Sequence, residues 1–173
     1  MAKDTFSTPE VARFFDINLN RLNNWLNSRL IVPSIEKASG HGSKNVFSFI
    51  DLCRISLFMK LINIGLSREA ASEIVNSAVR DLPQTQLTLA PFTPHQYTDR
   101  SWILIRKAIV SGKEQVSAQL IEHWRYEDGY TSVHKSDFFD EISAMLKNSE
   151  FLFIIDLTHI NNQVDDRLIS LYG

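Results

Sequence analysis

The chain has 173 residues, 44% of them hydrophobic, with 18 Lys+Arg against 20 Asp+Glu and a single cysteine. This composition excludes wholesale disorder, an intrachain disulfide or a Cys-rich zinc cage, so the core must hold the fold, as in a reducing cytosol. The longest uncharged apolar stretch, Phe151 to Ile155, is too short to span a bilayer, and the N-terminus lacks the apolar region of a secretory signal. The net charge of −2 argues, taken whole, against a nucleic-acid binder, but the charge is unevenly spread. Residues 1–80 hold ten Lys/Arg and seven Asp/Glu, a balance of +3, which leaves −5 for the rest. Such asymmetry points to two modules with different partners.

In chain order, Thr8 reads as an N-cap, with Pro9 at the first helical position and Glu10 at the positive helix end. Val11, Ala12, Phe14 and Phe15 form the buried face of this first helix. Asp16-Ile17-Asn18 makes a tight turn, and Asn18 caps a second helix carrying Leu19, Leu22, Trp25, Leu26 and Leu30. Two short helices joined by such a turn form a helix-turn-helix. Ile31-Val32-Pro33 and Asn45-Val46-Phe47 flank a Gly-rich polar tip and read as a hairpin, or wing, with Lys37, His41 and Lys44 near its tip. Ser48 with Asp51 is a capping-box variant opening a third helix through Leu52, Ile55, Phe58 or Met59, and Ile62. Gly65 stops that helix, and Ser67 caps a fourth through Ala70, Ala71, Ile74, Val75 and Ala78.

Leu82 to Asp99 contains Pro83, Pro91 and Pro94, no glycine and one charge, and reads as an extended linker. Beyond it, Trp102–Ile105 and Val116–Ile121 suggest a hairpin around Ser111-Gly112-Lys113. Ser136 caps a helix with Phe138, Phe139, Ile142, Met145 and Leu146. Phe151–Leu157 suits a central strand covered on both faces, and Asn162 caps a final helix with Val164, Leu168 and Leu171. The expected fold class is therefore α+β. Residues 1–81 form a helical winged helix-turn-helix, 82–99 the linker, and 100–173 a small β-β-α-β-α domain.

The order of helix-turn-helix, wing and long helix resembles the MerR family of bacterial transcription regulators. The matching residues are Thr8-Pro9-Glu10-Val11-Ala12-Arg13, Leu22, Trp25, Leu30, Pro33, Phe47-Ser48, Asp51-Leu52 and Gly65-Leu66-Ser67. The resemblance covers only the N-terminal part. It implies a cytoplasmic bacterial protein that binds double-stranded DNA sequence-specifically, with the second helix in the major groove and the wing on flanking backbone. Asn20, Arg21, Asn23 and Asn24 would then face the bases, Arg13 and Arg29 the phosphates, and Lys37, His41, Lys44 and Asn45 the wing contacts. A solvated polar helix face and a mobile polar loop are the plain alternatives for these residues.

Two departures bear on this expectation. Leu22-Asn23-Asn24-Trp25 stands where the family commonly has Leu-Arg-Tyr-Tyr or Leu-Arg-Tyr-Trp, and Asn45 replaces the wing's usual arginine. Both remove phosphate contacts, which dominate affinity. The family's long dimerisation helix cannot follow the fourth helix through the prolines, which moves homo-oligomerisation or signal sensing to the C-terminal domain. RNA polymerase or another regulator is the implied protein partner. The competing class is an interaction or architectural adaptor that keeps a degenerate module of this kind.

Nothing in the pattern suggests an enzyme or a cofactor. His123, His134 and His159 lack metal-ligand spacing, Cys53 between apolar neighbours reads as a buried thiol, and Asp165-Asp166 and Asp140-Glu141 read as solvated pairs. Asp156, at the end of an apolar strand, is the one carboxylate placed to line a ligand crevice, without a phosphate loop or nucleophile beside it.

Overall fold

The computed structural model describes residues 4–38, 44–80, 98–110, 113–124, 143 and 151–172. Among them the fold is mixed, with helices α1 (Thr8–Phe14), α2 (Leu19–Asn27), α3 (Phe49–Asn63), α4 (Arg68–Arg80) and α5 (Leu157–Tyr172). The strands are β1 (Thr5–Ser7), β2 (Val46–Ser48), β3 (Thr98–Val110), β4 (Lys113–Trp124) and β5 (Phe151–Asp156). Contacts group the chain into one unit of residues 1–75 with 160–173 and another of 76–159.

In the first unit each helix starts where a local side chain closes its open amides. The α1 cap is Ser7 rather than Thr8: the Ser7 amide and hydroxyl both donate to Glu10 Oε2, at 2.9 and 2.7 Å. Thr8 and Pro9 become the first helical residues, where a missing proline N–H costs nothing. Asn18 Oδ1 accepts the Asn20 amide at 2.8 Å and opens α2 as its sequence suggests. Ser48 and Asp51 form the expected capping box on α3, and Ser67 Oγ accepts the Ala70 amide at 3.1 Å on α4. Gly65 ends the α3 segment at φ 96°, a left-handed conformation that suits a residue without Cβ.

Among the described residues Ile31–Pro33 does not pair with Asn45–Phe47, as the expected hairpin would have it. Instead β2 pairs antiparallel with β1, Phe6 opposite Phe47, and the antiparallel Glu36–Val46 bridge ties the intervening arm to β2. The backbone explains the difference. The Leu30 and Ile31 amides donate to the Trp25 carbonyl, Pro33 has no amide hydrogen, and the Ser34 amide donates to Asp51, so this segment has no ladder to offer. Phe6, Phe14, Leu22, Trp25, Phe47, Leu52, Ile55, Phe58 and Leu61 form the buried core. Trp25 meets Phe58 edge to face at 5.1 Å, and Ser72 Oγ on α4 donates to the Leu30 carbonyl at 2.8 Å. Leu19, expected on the buried stripe of α2, is instead exposed at the first position of the helix.

In the second unit β3 and β4 pair from Thr98–Trp124 to Val110–Lys113, a tight hairpin longer than the sequence reading, and β5 joins β3 on its other side. The sheet order β4-β3-β5 makes β3 the central strand among the described residues. Its Ile103, Leu104 and Ile105 are consecutively buried, so both faces of β3 are covered. The strand expected to hold that position, β5, has half of Ile154 exposed. Among the described residues β3 is bonded on both edges, whereas β5 pairs with β3 on one. Most of the 82–99 linker, the Ser136 helix and the Ser111-Gly112 turn lie outside the described residues.

The last helix also differs from expectation. It begins at Leu157, with Asp156 Oδ1 accepting the His159 amide at 2.9 Å, so Asp156 rather than Asn162 caps it. That bond gives the Asp156 carboxylate a structural role as the cap of the helix. From Ile160 onward α5 packs with residues 1–75, although the sequence placed it with the C-terminal strands. Buried Ile160 and Val164 face that core.

Candidate nucleic-acid interface

Helix α2 has two chemically distinct sides. Leu22, Trp25 and Leu26 are buried, while Asn20, Arg21, Asn24 and Asn27 are exposed and Asn23 is half-buried. Asn20, Asn24 and Asn27 follow the i, i+4, i+7 spacing of one helix face. Asn27 was missed in the sequence pattern, although that spacing from Asn20 is its signal. Side-chain amides carry both donors and acceptors, so this face can match a base edge without charge. Arg21 is the only charged residue of the helix. Its guanidinium lies 4.9 Å from the centre of the Trp25 ring, and the stacking restricts a side chain that otherwise has many rotamers.

The other candidate cations lie outside α2. Arg13 sits exposed in the last turn of α1 and complements the negative helix end. Arg29 is exposed just beyond α2 at φ 57°, in a left-handed position usually taken by Gly or Asn, where its amide donates to the Leu26 carbonyl at 3.1 Å. Lys37 and Lys44 are exposed on the arm closed by the Glu36–Val46 bridge. Asn45 on that arm is half-buried, and its Oδ1 accepts the Ala38 amide at 3.0 Å, which closes the base of the loop. His41 lies outside the described residues.

Asp51 positions the arm. It is almost wholly buried, and its Oδ2 accepts from the Ser48 amide at 2.9 Å, the Ser34 amide at 2.9 Å and the Ser34 hydroxyl at 2.7 Å. With the Ser34 proton directed to Asp51, the Ser48 hydroxyl donates to Ser34 Oγ at 2.9 Å. One α3 carboxylate thus caps its own helix and pins the segment that leaves α2. Arg54 lies 3.5 Å from Asp51 Oδ1 and offsets part of the buried charge.

Cys53 on α3 is buried, and its thiol lies 3.6 Å from Asn161 Oδ1 on α5. Burial pushes the thiol pKa far up, with the Asp165 charge adding to the shift. The thiol therefore stays protonated in the folded protein, and a maleimide reagent is expected to label it only upon unfolding. The linked stability has a definite sign. A raised folded pKa leaves stability intact below the ordinary thiol value near 9.0 and lowers it as pH rises beyond that, where the unfolded thiol ionises first. Denaturation of Cys53→Ala across alkaline pH should lose this slope.

Among the described residues no group of three or more His, Cys, Asp or Glu is placed to hold a metal ion, and no helix is long and apolar enough to cross a membrane. No family model matches the chain. It is similar to an uncharacterised HTH-type transcriptional regulator of Mycobacterium bovis and to two such regulators of Mycobacterium tuberculosis, each 30% identical over 83 residues. The match covers 46% of this chain and 37% of each relative, so the chain spans well under half the length of these mycobacterial regulators.

Proposed function

We propose that this chain is a cytoplasmic, sequence-specific DNA-binding transcription regulator of the MerR type. The observation that carries the reading is the exposed amide face of α2 with Arg21 stacked on Trp25, in a chain similar to proteins named HTH-type transcriptional regulators. In this reading α2 enters the major groove, where Asn20, Asn24 and Asn27 meet base edges and Arg21 a guanine or phosphate. Lys37 and Lys44 on the arm meet flanking phosphates as a wing, with Arg13 and Arg29 beside them. Asn45 serves the loop rather than the DNA, and Asn23 contributes from the edge of the face. The 76–159 unit dimerises or senses a signal, and RNA polymerase or a second regulator is the protein partner. A balance of only +3 over residues 1–80 makes one copy a weak binder, so two copies act together.

A mobility-shift titration against salt tests the reading. Wild-type protein is expected to prefer particular sequences and to weaken steeply with salt. Replacing Arg21 and Lys44 together with Ala should weaken binding to every sequence and flatten the logarithmic salt slope by about 2. Absence of binding at low salt, or equal binding to all sequences, would overturn specific regulation. Regulation that survives the double replacement in cells would favour the adaptor class.

A further inference from the structure

We infer that the amide face of α2 reads adenine, so that the half-site of this chain is A·T-rich in the few base pairs under that face, an inference that rests on the proposed function. Helix α2 holds four asparagines in nine residues, Asn20, Asn23, Asn24 and Asn27, and no acidic residue. Asparagine suits a merely solvated helix surface poorly. Its short amide competes with the backbone for hydrogen bonds, so Glu, Gln, Lys and Arg serve an exposed helical position better. The neighbouring Asn18 and Asn45 have local partners, since their Oδ1 atoms accept the Asn20 and Ala38 amides. The side chains of Asn20, Asn24 and Asn27 are exposed and make no hydrogen bond among the described residues.

Spacing and chemistry specify the target together. At 3.6 residues per turn these three side chains leave the helix within about 60° of arc and over about 10 Å of its axis, the length of about three base-pair steps. Each amide offers a donor, Nδ2, beside an acceptor, Oδ1. In the major groove only adenine presents the matching acceptor beside a donor, N7 and N6–H2. Guanine presents two acceptors, cytosine a donor, and thymine an acceptor with a methyl group. A carboxamide therefore closes two hydrogen bonds on one adenine and one on any other single base. Arg21 is the only residue of α2 whose fork suits guanine, so α2 supplies at most one such contact.

A·T-rich DNA is also selected by shape, through its narrow minor groove. Direct reading by amides differs in one respect: it depends on adenine N7, which lies in the major groove and has no part in base pairing or in the minor-groove edge.

The test uses the full chain and a pool of random-sequence duplexes, from which bound DNA is recovered at low salt and sequenced. The expected core carries two or more adenines on one strand within about four base pairs. In the best duplex each core adenine is then replaced by 7-deazaadenine, which keeps the base pair and the minor groove but removes N7. Wild-type binding should fall about ten-fold at each adenine read by an amide. Asn20→Ala, Asn24→Ala and Asn27→Ala should keep the wild-type circular dichroism, because all three residues are exposed and alanine favours the helix. Each should weaken binding to the intact duplex by a similar factor, and should be indifferent to 7-deazaadenine at its own position while remaining sensitive at the others. A core dominated by G·C pairs overturns the inference and leaves sequence-specific DNA binding standing. So does an A·T-rich core that tolerates 7-deazaadenine throughout, which is selection by shape, or one in which every variant loses as much as the wild type at each replacement. No binding at low salt, or no enriched sequence, overturns the proposed function and the inference with it.

Discussion

Replacing Asp51 with Ala is expected to destabilise the protein by about 3 kcal/mol, because three hydrogen bonds to one buried carboxylate disappear together. The sum of isolated charge-assisted bonds would be larger, but Ser34 is exposed and water replaces part of what it loses. The α3 capping box also loses its second half, which contributes to the same figure. Urea denaturation monitored by tryptophan fluorescence measures the change. Asp51→Asn keeps an acceptor on Ser34 or Ser48 and should cost roughly half as much by the same reckoning. A second readout distinguishes the arm from the helix. Ser34→Ala removes the hydroxyl bond to Asp51 but leaves the α3 cap, so it should loosen protease resistance of the arm with little loss of global stability.

The second large effect is expected at Trp25. This side chain is almost fully buried, packs edge to face on Phe58 and carries Arg21 on its ring. Trp25→Ala opens a cavity that its neighbours cannot fill, with an expected loss of about 3–5 kcal/mol in a denaturant titration. Trp25→Phe fills most of the space and retains an aromatic face under Arg21, so its loss should be clearly smaller. DNA affinity supplies the functional half of this prediction. If Arg21 is preorganised by the ring, Trp25→Leu at a temperature where it stays folded should weaken DNA binding, whereas in an Arg21→Ala background the same change should have little further effect. Equal effects in both backgrounds would remove the positioning role.

Parts of both the fold and the candidate site were legible before the structure. Asn18, Ser48 with Asp51, Gly65 and Ser67 mark helix ends correctly, because a cap acts on backbone groups within three or four residues of itself. The Leu22, Trp25 and Leu26 stripe placed the buried side of α2, and with it the opposite side that carries Asn20, Arg21 and Asn24. Thr8 was displaced by Ser7 as cap because a second hydroxyl stood one residue earlier, and Glu10 could reach it. The arm was harder. Its polar tip and lysines are visible in the chain, but β-prone residues do not say which segment they pair with.

By itself the sequence determined the local elements and the division of charge, +3 over residues 1–80 and −5 beyond, since both depend only on residue identity and near neighbours. Tertiary structure alone decided that β2 pairs with β1 instead of the segment after α2, since backbone amides become available for pairing only when nothing else has claimed them. It decided that Asp51 reaches Ser34, 17 residues away, and that Cys53 meets Asn161 across 108. It also placed most of α5 on the N-terminal unit. An amphipathic helix carries an apolar face to be buried, but that face does not name the surface that buries it.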